Sequence, residues 1–293
     1  VLAACSSSAM VSGTTSTAAP STSTSTSTTG PSSTTVPDLP TTTAPSATAP
    51  KPNGAPRVQA AAYAVFDTST GAWLAVEHAD APLPIGSIMK LLTTYVVDRA
   101  GNPTKVVTVP PLRLDPKESA IGLYPGERLP RDVLVRAMLI VSASDAARAL
   151  AVDVGGTEAN FVDMMNRAAS ELGLRDTVAA NPMGLDATGS HSTARDVVTL
   201  AATLMKDPDF RATVARPSAS LHGHRFPNTN NLLRTYPGAD GIKTGHTTHA
   251  GYCVVASATR DGRRIIVAVL GAPTDAARVA AASTLLEWAF SQG

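Results

Sequence analysis

Among the groups in this chain that could do chemistry, Ser87 and Lys90 stand out by their spacing. They frame Ile88 and Met89 in the stretch PIGSIMKLLTTYVV, where an apolar run with helical periodicity follows. Residues three apart lie on one face of a helix, about one turn from each other. The spacing therefore predicts a hydroxyl and an amine held side by side at the start of a helix. A serine hydroxyl is a weak nucleophile until a neighbouring base takes its proton. A lysine can be that base once its pKa, about 10.4 when unperturbed, has fallen toward neutrality. Taken singly, Ser87 reads as a helix cap and Lys90 as a solvated charge, so the weight of the pair rests on what accompanies it.

Other chemistries find little support. The histidines, His78, His191, His222, His224, His246 and His249, form no H-E-x-x-H pair, and Cys5 and Cys253 form no C-x-x-C. His222 and His224 flank Gly223 but have no third ligand nearby, short of the set that zinc requires. No metal, nucleotide or flavin site is expected, and no cofactor. A net charge of +1 over 293 residues argues against a nucleic-acid partner.

The elements that must position the pair can be read in order. Leu2-Ala3-Ala4-Cys5 resembles a bacterial lipobox, which makes Cys5 a lipidation site and a membrane anchor. From Ser6 to about Pro56 the chain is Ser, Thr, Pro and Ala with almost no charge. Such a stretch buries too little surface to offset its ordering entropy and is expected to be a disordered tether. The division is thus residues 1–56, lipobox-like start and linker, and residues 57–293, one folded domain. Ala60–Asp67 and Ala72–Glu77 read as a hairpin, and 105–111 and 121–129 as short strands and loops. Arg131–Val141, an alanine-rich run to Val154, Thr157–Leu172 and Ser192–Met205 read as helices, with caps at Thr157 and at 192–195. Gly241–Gly245, Gly251–Thr259 and Arg264–Leu270 read as adjacent antiparallel strands, and Thr274–Phe290 as a closing helix. Strands at both ends with helices between them predict an α+β fold: a central antiparallel sheet with an inserted helical lobe. Cys253 lies in an apolar strand and is expected to be a buried small hydrophobe. Trp73 and Trp288 are expected in the core, and His191 and Arg195 in structural roles. His249 and Tyr252 are candidates for the cleft without assigned roles.

Two further motifs accompany S-x-x-K. Ser142-Ala143-Ser144 stands at a helix–helix junction, and Lys243-Thr244-Gly245 sits on a late strand. The set S-x-x-K, S-x-N-like and K-T-G is that of class A β-lactamases and penicillin-binding proteins. The flanks NPMGLDATGSHSTARDV, FPNTNNLL, ADGIKTGHTTHAGYCVVASATRDGRRIIVAVLG and LLEWAF resemble the low-molecular-mass D-alanyl-D-alanine carboxypeptidases, from about Pro56 onward. The resemblance implies a β-lactamase/transpeptidase-like fold. It implies Ser87 as the acylated nucleophile, Lys90 as general base and Ser142 as proton relay toward the leaving amine. Lys243 and Thr244 would grip the substrate's terminal carboxylate, and Lys243 would be the second cation that lowers the Lys90 pKa. Gly245, lacking a side chain, would let the substrate backbone lie against the strand. The N–H groups of Ser87 and His246 would form the oxyanion hole, and Thr247 would add a hydroxyl. The family's middle motif ends in asparagine, whereas Ser144 stands here with a shorter side chain and no amide.

The implied partners are a peptidoglycan stem peptide and β-lactams as inhibitors, in the extracytoplasmic cell envelope, with the N-terminal lipid as the link to the membrane. Three rivals share these residues. A class A β-lactamase needs a deacylating glutamate, for which Glu171–Arg175 (ELGLR) matches only in part and reads as a helix end. An endopeptidase or transpeptidase shares every motif. An inactive wall-binding protein has only Ser144 in its favour.

Overall fold

The computed structural model describes residues 54–292 apart from Lys117. The lipobox-like Cys5 and the linker up to residue 53 lie outside the described residues. The chain opens with the expected hairpin, β1 (Ala62–Asp67) and β2 (Ala72–Glu77). The Ser87 turn, Gly86–Met89, is a 3₁₀ helix, and α1 (Lys90–Arg99) begins only at the lysine. Ser87 thus precedes the α-helix on which the spacing placed it. At three residues per turn, a 3₁₀ helix eclipses positions i and i+3, which brings Ser87 and Lys90 together more directly than an α-turn does.

A small ribbon follows, β3 (Val106–Thr108) against β4 (Arg128–Pro130), then α2 (Arg131–Ile140), α3 (Ser144–Gly155) and α4 (Glu158–Glu171). Thr157 caps α4 by accepting from the Asn160 N–H, and Thr193 caps α5 (Ala194–Leu204) by accepting from that of Asp196. Four elements had no counterpart in the sequence. α6 (Pro208–Val214) is capped by Asp207, with proline in its first turn. The hairpin β5 (Ser218–Leu221) and β6 (His224–Pro227) turns at His222 and Gly223, both at positive φ, and a short α7 (Leu232–Thr235) follows. These strands are four residues long and largely exposed, so alternation had little to report.

Three long strands complete the sheet: β7 (Ala239–Thr247), β8 (Gly251–Arg260) and β9 (Arg263–Ala272). The order is β2-β1-β9-β8-β7, antiparallel throughout, so the first and last strands of the described residues to enter the sheet meet at β1 and β9, and β7 is an edge. Side chains alternate between two cores. Ala62, Ala64, Val255, Ile266, Ala268 and Leu270 face the helical lobe. Tyr63, Val65, Val254, Ala256, Val267 and Val269 face α8 (Asp275–Phe290), which buries Ala282, Leu285, Leu286 and Ala289 against them. Strands covered on both faces read as the continuous apolar runs of β8 and β9. Cys253 is fully buried, as expected. Trp73 and Trp288 are not core residues: both are half-buried at the rim. Trp73 packs against Phe66 and lies under the Arg195 guanidinium, 4.8 Å from its ring centre.

Candidate active site

Three glycines lock the Ser87 turn to its surroundings. Gly86 sits at φ +56°, and a Cβ there would meet the His246 amide nitrogen at 2.9 Å. A Cβ on Gly245 would lie 2.3 Å from the Ile85 carbonyl oxygen, and one on Gly184 would lie 2.0 Å from that of Gly86. No real Cβ tolerates such approaches, so the turn, the edge strand β7 and the loop 181–185 interlock only through glycine. Gly245 therefore carries a packing duty that sequence reasoning missed, on the side facing the nucleophile turn. The loop is curled by Asn181, whose Oδ1 accepts from the N–H groups of Met183, Gly184 and Leu185.

That curl aims the Met183 carbonyl at Lys90. Lys90 is fully buried at the head of α1. Its Nζ donates to Ser87 Oγ at 2.9 Å, to Met183 O at 2.9 Å and more weakly to Ser144 Oγ at 3.5 Å. Burial pushes its pKa down to about 7; Glu118 and Asp145 push the other way, and the Arg148 cation helps burial. Lys243 is also buried, and its Nζ donates to the Thr244 carbonyl at 2.9 Å. Burial, then the Lys90 and Arg278 charges, hold its pKa well below the ordinary lysine value. The two buried lysines repel one another, which favours the uncharged amine at either site, and Arg148 adds a further cation that lowers Lys90.

Ser142 links α2 to α3, buried, at φ +66°, a conformation that costs a non-glycine residue on the order of 1 kcal/mol and persists only where its surroundings impose it. Ser144 opens α3, and its N–H donates to the Ser119 carbonyl at 2.7 Å. Asp145 is the junction's anchor and went unassigned in the sequence. Fully buried, its Oδ2 accepts from the N–H groups of Ile121, Gly122 and Leu123 at 3.0 to 3.1 Å. A carboxylate at a helix N-terminus beside a serine motif was the signal available.

Thr244 Oγ1 donates to Thr229 Oγ1 at 2.7 Å, so Thr229 joins the site from the FPNTNNLL stretch. Arg278, from the alanine-rich α8, is nearly buried and donates to the carbonyls of Gly245 and Cys253, both at 3.1 Å. A lone arginine in an alanine-rich helix was its only trace. Thr247 Oγ1 donates to Asp186 Oδ1 at 2.5 Å, and His249 engages Asp186 Oδ2 through its ring and its backbone N–H. Partial burial would raise the Asp186 pKa, but these hydrogen bonds outweigh it and hold the carboxyl below its ordinary value. The Thr247 hydroxyl is thus already engaged in tying β7 to the 181–186 loop. His246 is exposed and stacks on Tyr252, ring centres 4.1 Å apart. An open cleft of about 470 Å³ beside the turn is lined by Ile85, Gly86, Met89, Gly184, Asp186 and His249.

Other candidates lie elsewhere. Glu171 ends α4 and pairs with Arg99 at the far end of α1, about 14 Å along the helix from Lys90. His191 bonds the Gly189 carbonyl, and Arg195 pairs with Asp80 at 2.5 Å; both are structural contacts. His222 bonds Glu127 from the β5–β6 turn, and among the described residues no three His, Cys, Asp or Glu side chains gather as a metal site would need. No helix among the described residues is long and apolar enough to cross a membrane.

An antiparallel sheet carrying K-T-G on its edge, with S-x-x-K at the head of a buried helix and a serine motif between two helices, defines a β-lactamase/transpeptidase-like fold. The D-alanyl-D-alanine carboxypeptidase family model matches residues 47–274, and the chain belongs to that family. It is 38% identical to the D-alanyl-D-alanine carboxypeptidase DacC of Escherichia coli over 80% of this chain and 62% of that protein. It therefore spans less than two thirds of that relative's length. Crystal structures of penicillin-binding protein 6B from Escherichia coli and of penicillin-binding protein D2 from Listeria monocytogenes superpose with TM-scores of 0.76 and 0.73, at 34% and 32% identity. They match 82% and 80% of this chain and 78% and 98% of their own, and the second holds cefotaxime.

Proposed function

We propose that the chain is a serine-type D-Ala-D-Ala carboxypeptidase that removes the terminal D-alanine of peptidoglycan stem peptides through an acyl-enzyme at Ser87. The observation that carries the reading is a buried lysine with a pKa of about 7 whose Nζ lies 2.9 Å from a serine hydroxyl, in a chain of this family. At neutral pH a large fraction of Lys90 is an uncharged amine that can accept the Ser87 proton as Oγ attacks the penultimate carbonyl. The backbone N–H groups of Ser87 and His246 receive the oxyanion; the tight fit of Gly86 against the His246 nitrogen supports this pairing. Ser142 relays the proton to the departing D-alanine amine, and water then frees the acyl group. Lys243 and Thr244 hold the terminal carboxylate, whose negative charge favours the ammonium of Lys243. The substrate backbone lies along the unpaired edge of β7 between Lys243 and Thr247, with Gly245 and Ser144 beside it.

Residues 57–293 form this domain. β-Lactams acylate Ser87 and leave slowly. The protein acts in the cell envelope outside the cytoplasmic membrane, tethered by residues 1–56 and a lipid on Cys5. The test is a stem pentapeptide ending in D-Ala-D-Ala, followed by mass spectrometry with Ser87→Ala as control. Loss of one alanine, absent in the control, is expected. Rapid penicillin hydrolysis without alanine release would move the protein to the β-lactamases, and cleavage of cross-linked dimers alone to the endopeptidases.

A further inference from the structure

Glu118 is the buried carboxylate that the scheme above leaves unused. Its side chain is 5% exposed. Oε1 accepts from Arg148 Nη2 at 3.2 Å and from the Asp115 N–H at 3.1 Å. Oε2 is buried and meets no hydrogen-bond donor among the described residues. Such an atom carries a desolvation cost with no return, which calls for a reason. Its location supplies one. The next carbonyl, that of Ser119, accepts from the Ser144 N–H, and Arg148 lies one helical turn beyond Ser144 on the same face of α3. Residues 118 and 119 are thus fastened, by backbone and side chain, to the face of α3 that presents Ser144 to Lys90. Ser144 stands where the family pattern has an asparagine, and its hydroxyl reaches Lys90 Nζ only at 3.5 Å.

We propose that Glu118 is a positioning residue for Lys90: held by Arg148, its free oxygen supplies the negative charge that steadies the Lys90 ammonium formed when Ser87 gives up its proton. The proposal rests on Ser87 and Lys90 acting as nucleophile and base. The proton passes from Ser87 Oγ to Lys90 Nζ as the Oγ–C bond forms, then through Ser142 to the amine nitrogen as the C–N bond breaks; Glu118 exchanges no proton. The other charged groups facing Lys90 are Asp145 and Arg148 from α3 and Lys243 from β7. Both Asp145 oxygens are occupied by backbone N–H groups, which leaves Glu118, among the described residues, with the uncommitted one. The Glu118 charge also pushes the Lys90 pKa up.

The test follows the Lys90 Cε resonance through pH in full-length protein labelled with ¹³C-lysine, assigned with Lys90→Met. Glu118→Gln keeps the bond from Arg148 and removes the charge, so the Lys90 midpoint should fall by about one pH unit. Glu118→Asp should hold the wild-type midpoint, and Arg148→Met, which removes the opposing cation, should raise it. A midpoint unmoved in Glu118→Gln, or moved equally in Glu118→Asp, overturns the proposal. If Glu118→Gln does not fold, Glu118→Ser, which also removes the charge, decides, and an unmoved midpoint there overturns it too. The titration needs no turnover, so failure to release D-alanine would refute the function without touching this result.

Discussion

Gly245→Ala separates two reasons for a glycine in K-T-G. On the sequence, the missing side chain leaves room for substrate. In the structure, the added Cβ would sit 2.3 Å from the Ile85 carbonyl oxygen and 3.2 Å from both the Ile88 nitrogen and its Cγ1. Gly245 has no positive φ, so alanine brings no backbone strain and the whole effect is steric. Relieving the overlap requires the turn and β7 to part by roughly 1 Å, and overpacking of this kind costs about 1–3 kcal/mol. For a domain of this size that corresponds to a fall in Tm of roughly 2–12 °C. The displaced element carries Ser87, and a misplacement on the order of 1 Å can cost about 10²-fold in rate. Acylation by a small labelled penicillin, which covers less of β7 than a stem peptide does, should therefore slow by roughly that factor. A variant with unchanged Tm and unchanged penicillin acylation that loses only peptide turnover would refute the packing argument and restore the substrate-side one.

Three further outcomes follow from the same geometry. Lys90 must be uncharged to act as base, so Ser87 acylation should rise with pH through a midpoint near 7, read from penicillin labelling rates between pH 5 and 9. The folded-state pKa lies below the unfolded one, so the unfolded chain binds the extra proton between about 7 and 10.4 and stability climbs with pH there. Lys90→Met should accordingly abolish acylation yet raise Tm at pH 6, with the gain shrinking toward pH 10; a Tm gain that is the same at both pH values would contradict the burial argument. Ser144→Asn lengthens a side chain whose contact with Lys90 is 3.5 Å, and should preserve or raise D-alanine release. A sharp loss of turnover in that variant would count against the alignment of 142–144 with the family's middle motif.

The large elements were legible because their signals are local. The apolar runs of β8 and β9, the caps at Thr157 and Thr193 and the hairpin at the start of the sheet each declare themselves within a few residues. Ser87, Ser142 and Lys243 were legible because three short motifs occur in order. The groups that tune them were not. Asp145 matters through amides more than twenty residues upstream, Arg278 through carbonyls on two strands, and Glu118 through an arginine thirty residues further on. None of those distances leaves a periodic or spaced mark in a single sequence. The burial of Lys90 and Lys243 escaped the sequence for a related reason, since it is a property of the assembled site.

The central claim is that Lys90 activates Ser87 for acylation. Its most direct test is peptide mapping by mass spectrometry after brief exposure to a labelled penicillin at neutral pH. The account predicts one label per molecule, on the peptide containing Ser87, and none in Lys90→Met. A label on any other residue, or a Ser87 label that forms equally fast in Lys90→Met, would contradict it.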